Sequence, residues 1–407
     1  MLPISSYATC LARVANLCMF SFKKQRLDNL RPAFWSLCAC WGICCAMALG
    51  QSTDPLAAAL EEIRTKHNLP GMIAGQFDTQ KIHHLQSVGF RRSGSKDPLL
   101  VSHPMHLGSC TKSMTATLVA MAVDEGLLDW QTRLADVFQN DQKVTGSPWA
   151  NVTVEQLLHH TSGAPANPPW SQFTDPKVPM STHRKNVLHW WMQQPSNPGP
   201  PAEAKPKFLY SNLGYMTLGA VLEELRNQTW EEQMQTRLFE PLGMRRAGFG
   251  IPSKSLGDQV PWGHSRPLGL LVAVENDNPP ALGPAGTVYA NMEDWIRYLQ
   301  VHLRSKASST PALKLSEKSF EYLHQPLKGQ QYAGGWIVLG RSWSEGPIYH
   351  HNGSNTYWYC VVFLAPHEGR GIFAASNFGL ESAGPCDQAL QWMLKNLPFD
   401  PIDPSSR

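Results

Sequence analysis

Ser109-Cys110-Thr111-Lys112 stands between a polar, proline-containing approach, Ser102 to Gly108, and an almost wholly apolar run, Met114 to Val123. That run carries Met114, Leu118 and Met121 on one stripe and Ala116, Val119, Ala120 and Val123 around the rest of the cylinder. A helix apolar on every side is a buried helix, so Ser109 is placed at the N-terminus of a central helix, where free N–H groups and the macrodipole favour developing negative charge. Lys112 follows one turn later on the same face. A hydroxyl beside an amine in a semi-buried place pairs a nucleophile with a base. The same S-x-x-K spacing recurs at Ser21 to Lys24 and Ser93 to Lys96, neither with an apolar helix behind it. The competing reading of Ser109 is an N-cap serine.

The 407-residue chain has length for one large domain or two ordinary ones, and its 16% charged residues and 14 tryptophans exclude a disordered chain. Its formal charge of +3 arises in the first 50 residues, where Arg13, Lys23, Lys24, Arg26 and Arg31 face only Asp28; the remaining chain holds 30 basic and 31 acidic residues. No basic patch points to nucleic acid. Six of nine cysteines also lie in the first 45 residues. Cys110, Cys360 and Cys386 are too widely spaced for a disulfide framework or a zinc site, and Cys110 is expected to pack beside Ser109 as a small hydrophobe. Ala33 to Leu49 is apolar, preceded by basic residues and followed by small ones, which predicts a secretory leader cut near Ala48 or Gly50 and a periplasmic or secreted protein. Met19 offers an alternative start. An uncleaved membrane anchor is the second reading of the run, and the one way the chain would contact a membrane.

From Leu56 to His67 a short amphipathic helix is expected, then strands at Met72 to Phe77 and Ile82 to Val88. Thr153 to Gln156 and Thr229 to Glu232 read as capping boxes. Ala164 to Lys207, rich in proline, reads as an irregular wall with a helical island near Val187 to Met192. Further helices follow Asn212, with Leu218, Val221, Leu222 and Leu225 at helical spacing, and Asn291. After Gly334 come strands at Trp336 to Leu339, Ile348 to His351, Trp358 to Leu364 and Ile372 to Ser376, and a closing helix from Pro385. The order predicts an α+β fold: one antiparallel sheet from the two terminal strand sets (54–108 and 331–400), flanked by the terminal helices, with an all-helical lobe over 109–330 and Ser109 at the seam. Residues 51–407 would form this domain and 1–50 the leader.

Two more short motifs bear on chemistry. Tyr210-Ser211-Asn212 sets a phenol and an amide two apart, so both can enter one cleft; the alternative is that Asn212 caps the next helix. His351-Asn352-Gly353-Ser354 places His351 and Gly353 on one side of a strand end, the alternative being a hairpin turn at Asn352-Gly353. Tyr289 to Asn291 and His106 to Gly108 repeat these patterns, so neither is specific alone. Together with Leu157-Leu158-His159-His160-Thr161-Ser162-Gly163, Tyr210-Ser211-Asn212-Leu213-Gly214-Tyr215 and Pro241-Leu242-Gly243-Met244, they give a chain that resembles the serine β-lactamase family. The likeness is to class C β-lactamases, serine D-Ala-D-Ala carboxypeptidases of the penicillin-binding type and related esterases, over about residues 54 to 397.

The resemblance implies a β-lactamase/transpeptidase-like fold and a cofactor- and metal-free serine hydrolase acting through an acyl-enzyme. Its substrate would be a small molecule or peptide: a β-lactam, a D-amino-acid peptide or a small carboxylic ester. Ser109 would be the nucleophile, and Lys112 the first base if desolvation lowers its pKa. Tyr210 would share that proton and Asn212 would orient Lys112 or the substrate amide. The N–H groups of Ser109 and Ser354 would form the oxyanion hole, with His351 and Gly353 on the substrate-binding strand. Which of Lys112 and Tyr210 holds the proton is left open by coupled titration. His159 and His160, adjacent and facing opposite ways, are expected to be structural. Where class C enzymes carry Lys-Thr-Gly this chain has His351-Asn352-Gly353, which favours the carboxypeptidase and esterase branches. A histidine near ~6.5 that reads a substrate carboxylate would lose its charge, and the substrate its binding, as pH rises. The bulk of Asn355 to Trp358 predicts a narrower or reshaped pocket. A catalytically silent ligand-binding protein on the same fold is the alternative, discriminated by the presence of every motif residue. A zinc hydrolase lacks the ligand spacing.

Overall fold

The computed structural model describes residues 54–175, 177–195, 207–304 and 313–398. The expected leader or anchor, Ala33 to Leu49, lies outside the described residues, as does part of the proline-rich wall. Asp54 caps the first helix, α1 (Pro55–Lys66), by accepting from the Leu56 N–H at 2.8 Å, and Pro55 starts it where no N–H is needed. Strands β1 (Gly71–Asp78) and β2 (Ile82–Gly89) follow as a hairpin. The C-terminal strands are β3 (Ile337–Leu339), β4 (Ile348–Ser354), β5 (Tyr359–Ala365) and β6 (Arg370–Ser376). They join the hairpin in one antiparallel sheet of order β2-β1-β6-β5-β4-β3, so the chain ends close on each other through β1 and β6. No hairpin forms at Asn352-Gly353: Gly353 pairs with Cys360 inside the β4–β5 ladder, and the chain reverses after Ser354.

The two faces of β1 enter different cores, as the two-residue period requires. Met72 and Ala74 pack with Leu56 and Leu60 of α1 and with Cys386, Leu390 and Met393 of the last helix. Ile73 and Phe77 join the larger core of the helical segments. Among the helices used below, α2 is Thr111–Asp124, α3 Asn212–Arg226, α4 Met292–Leu303 and α5 Ala383–Asn396. All of α2 from Thr111 to Ala122 is buried. Its polar members are satisfied inside, as where Thr115 donates to the Pro284 carbonyl at 2.7 Å.

One boundary differs from the sequence expectation. Helix α4, placed within the all-helical lobe, packs on the second face of the sheet, with Trp295 edge-on to Phe373 at 5.6 Å. The sheet is apolar on both faces, and the Trp295, Ile296 and Leu299 stripe supplies the cover that α1 and α5 leave undone. Residues from Ser52 onward accordingly form one compact unit. The island at Val187 is also longer than expected, a helix over Met180–Met192.

Candidate active site

Ser109 lies in a single 3-10 turn, Gly108–Cys110, that leads straight into α2. It is no cap: Cys110 holds that position, and no side-chain cap bond is made. Gly108 has φ +48°, and a Cβ there would stand 2.3 Å from the Ser354 nitrogen. A Cβ on Gly353 would fall 2.0 Å from the Leu107 carbonyl and 2.8 Å from the Ser109 nitrogen. Only glycine at both positions lets the turn and β4 approach so closely, and the seam they form sets the Ser109 and Ser354 N–H groups beside each other. Behind the turn the Cys110 and Cys360 thiols, both free and buried, meet at 3.6 Å.

Lys112 is fully buried, and its amine lies 3.1 Å from Ser109 Oγ, 2.8 Å from Asn212 Oδ1 and 2.7 Å from the Ala285 carbonyl. Burial pulls its pKa down to about 7. A neutral amine has two N–H groups and one lone pair. Asn212 and Ala285 are pure acceptors and take the two hydrogens, which leaves the lone pair for the Ser109 hydroxyl proton. Asn212 is the first residue of α3, but Ser211 caps that helix, accepting from Gly214 N at 2.9 Å. The amide of Asn212 is thereby free to reach Lys112, with its NH2 steadied on Asn167 Oδ1 at 2.8 Å.

Tyr210 enters just before that cap. Ser211 N donates to His160 Nδ1 at 3.1 Å, and the Tyr210 ring lies 4.4 Å from the His160 ring. The Tyr210 phenol stands beside the Ser109 hydroxyl, and burial raises its pKa above the ordinary tyrosine value. Near neutral pH it stays protonated, whereas Lys112 is divided between its charged and neutral forms. His159 and His160 are both buried, His159 against the Glu155 carbonyl at 3.0 Å and His160 beneath Tyr210.

His351 differs from its sequence expectation in charge. It is buried on β4, and its Nδ1 lies 2.6 Å from the Asn352 carbonyl, so Nδ1 carries the proton and donates. Its Nε2 accepts from the Tyr332 hydroxyl at 3.1 Å. Desolvation, helped by the neighbouring Lys112, lowers its pKa to about 3. Both ring nitrogens are occupied within the protein, and the ring is neutral wherever the protein is folded near neutrality. The expected pH-dependent reading of a carboxylate by His351 is therefore corrected, because burial removes the charge that reading needs.

A cavity of about 820 Å³ opens over Ser109. Phe208, Tyr210, Tyr332, Ile337, Tyr359 and Leu380 make its apolar wall, while Gln330, Gln331, Asn352 and Ser354 supply polar groups. Among the described lining residues there is no Asp, Glu, Lys or Arg. Pairing of β3 to β4 ends at Ile337↔His350, so His351 to Ser354 has its ladder partner on the β5 side and its other edge toward this space. Asn355 to Trp358 do not narrow it. Trp358 is buried against Gly263, and the Tyr357 hydroxyl accepts from Asn276 Nδ2 at 3.2 Å. The 255–290 segment gives no residue to the described lining and stands behind Lys112 through Ala285.

A serine with a buried amine at hydrogen-bond distance, a phenol beside it and a second backbone nitrogen close to its own is an arrangement suited to acyl transfer. The β-lactamase family model matches residues 56–391. The chain belongs to the β-lactamase family. This is the family of serine β-lactamases and penicillin-binding proteins, generally hydrolases. Among its relatives, Penicillin-binding protein 4 of Amycolatopsis lactamdurans is 27% identical over 328 residues, 77% of this chain and 82% of that protein. A β-lactamase of Escherichia coli strain K12 is 24% identical over 315 residues, 75% of each chain. Of the solved structures, the octameric penicillin-binding protein homologue from Pyrococcus abyssi superposes with TM-score 0.69 at 20% identity, over 86% of this chain and 79% of that one. A class C β-lactamase from Rhodobacter sphaeroides gives 0.67 at 19%, over 84% and 98%. At these identities the structural likeness is one of fold, and the chain shares the β-lactamase/transpeptidase-like α+β architecture.

Within this family member two residues at the site carry no mark in the sequence. Tyr332 is a lone tyrosine in a polar stretch, yet it lines the cavity and hydrogen-bonds His351 Nε2. His106 sits in the His-x-Gly pattern that looks like a chance repeat, and its Nδ1 accepts from Gly108 N at 3.1 Å, one residue before the serine.

Proposed function

We propose that this protein is a serine hydrolase that forms an acyl-enzyme on Ser109 and takes neutral esters or amides with an apolar acyl group. Lys112, neutral above its pKa, accepts the Ser109 proton as Oγ attacks the carbonyl carbon. The negative charge that gathers on the carbonyl oxygen is received by the Ser109 and Ser354 N–H groups. Tyr210, a phenol, donates toward the leaving atom, and the proton held by Lys112 passes to that atom as the bond breaks. Water then attacks the acyl carbon with Lys112 again as base, releasing a carboxylic acid and restoring the Ser109 hydroxyl. The observation that carries the substrate reading is the lining: aromatic and aliphatic groups with amides, no formal charge among the described residues, and a neutral, fully engaged His351.

Because Lys112 titrates at about 7 and must be neutral to act, kcat/KM is expected to fall about tenfold per pH unit below that value and to level off above it. A pH profile with no limb between pH 6 and 8 would contradict the assignment of Lys112 as base.

The substrate reading is tested with two esters that differ only in a free carboxylate on the acyl side. An unpaired carboxylate loses hydration on entry with no cation to replace it, so the neutral ester should be preferred by at least about tenfold in kcat/KM at pH 8. The preference should be the same at pH 7.5 and pH 9, since His351 has no charge to lose. Preference for the acidic ester, declining across that interval, would restore His351 as a carboxylate reader and the D-amino-acid peptide or β-lactam reading with it.

A further inference from the structure

The oxyanion donors are flanked on both sides by one hydrogen-bonded chain of three side chains. His106 Nδ1 accepts from Gly108 N, so the ring proton is on Nε2, which donates to Asp277 Oδ2 at 3.1 Å. Asp277 Oδ1 also accepts from Asn355 Nδ2 at 2.7 Å and from Asn278 N at 2.7 Å. Asn355 Oδ1 in turn accepts from the backbone of Tyr357 at 3.2 Å and of Trp358 at 3.1 Å. One end of the chain is the residue before Ser109 and the other is the residue after Ser354. His106, Asn355 and the Asp277 side chain are all buried, so each bond is shielded from competing water. The same turn continues to Asn278, whose Nδ2 holds the Gly286 carbonyl at 3.2 Å, next to the Ala285 carbonyl that Lys112 uses.

We propose that His106, Asp277 and Asn355 are positioning residues that fix the spacing of the Ser109 and Ser354 N–H groups, resting on the acyl-enzyme reading above. The polarity of the chain is determined at each link. A neutral imidazole has one N–H, and with Nδ1 accepting from Gly108 the partner of Nε2 must be an acceptor. Asn355 presents its NH2, since its oxygen is taken by two backbone donors, and so needs an acceptor as well. A carboxylate at 277 satisfies both links, whereas an amide of the same shape meets at least one of them donor to donor.

The test is Asp277→Asn in the full chain, assayed with a neutral activated ester and with an alkyl or aryl boronic acid. The boronic acid forms a B–Oγ bond to Ser109 as the serine proton passes to Lys112, leaving a tetrahedral boronate with one oxygen in the oxyanion hole. Loosened donors stabilise both this adduct and the transition state less, while ground-state binding in the cavity is untouched. The expected result is a kcat roughly 10- to 100-fold lower with KM within about twofold. Boronate affinity should drop by the same factor as kcat/KM, and the pH limb of Lys112 should stay in place. Unchanged kcat and boronate affinity, or a loss confined to KM, overturns the proposal. Asn355→Ser breaks the chain from its other end and should give the same paired losses; it decides the matter if Asp277→Asn does not fold by circular dichroism. A wild-type protein that neither turns over the ester nor binds the boronate refutes the acyl-enzyme reading itself, whereas an active wild type with indifferent variants refutes only the positioning role.

Discussion

Ser109→Ala is expected to abolish ester hydrolysis, lowering kcat/KM on the order of 10⁴-fold or more, because it removes the proposed nucleophile. The fold should survive. Ser109 makes no cap bond to α2, and the Lys112 amine keeps Asn212 and Ala285 as partners when the hydroxyl is gone. The stability change should stay within about 1 kcal/mol, read as a shift in thermal unfolding of a few degrees at most. Ser93→Ala, at the other S-x-x-K match in the described residues, should alter neither activity nor stability. Full turnover by a folded Ser109→Ala protein, or loss of activity in Ser93→Ala, would mean that the nucleophile lies elsewhere.

Gly353→Ala is expected to damage both activity and stability. The added methyl would stand 2.0 Å from the Leu107 carbonyl oxygen and 2.8 Å from the Ser109 nitrogen, and both are backbone atoms that no side-chain rotation can withdraw. Relief requires β4 and the 3-10 turn to separate, which costs about 1–3 kcal/mol as overpacking and widens the gap between the two oxyanion donors. A loss of roughly 10²-fold or more in kcat is expected, of the size seen when one oxyanion donor is removed. Gly340→Ala, at a glycine where a Cβ meets nothing, is the control and should behave as wild type. An active, stable Gly353→Ala protein would show that the seam between Ser109 and β4 is not the oxyanion hole.

The fold is legible in the sequence where a single element carries its own signal. The apolar Met114 to Val123 run announces a buried helix, the Thr153 and Thr229 capping boxes mark helix starts where they are found, and alternation sets the strands of the sheet. What the sequence leaves unread depends on partners far along the chain. Nothing in residues 292–303 states that Trp295 will meet Phe373, so α4 reads as one more helix of the lobe. In the site, Ser109, Lys112, Tyr210 and Asn212 are legible and converge, because each lies at a helix start with a spacing of its own. The charge state of His351 is not, since it is decided by burial and by the neighbouring Lys112, far along the chain. His106 is harder still: its role rests on Asp277, 171 positions along, which no local pattern links to it.

The central claim is that catalysis passes through an ester on Ser109. Its most direct test is intact-mass analysis of the wild-type protein, mixed briefly with an activated short-chain neutral ester and quenched in acid, followed by peptide mapping. One acyl increment is expected, located on the peptide that contains Ser109 and absent from Ser109→Ala. Steady hydrolysis of that ester with no adduct trapped under any quench time, or an adduct that persists in Ser109→Ala, would contradict it.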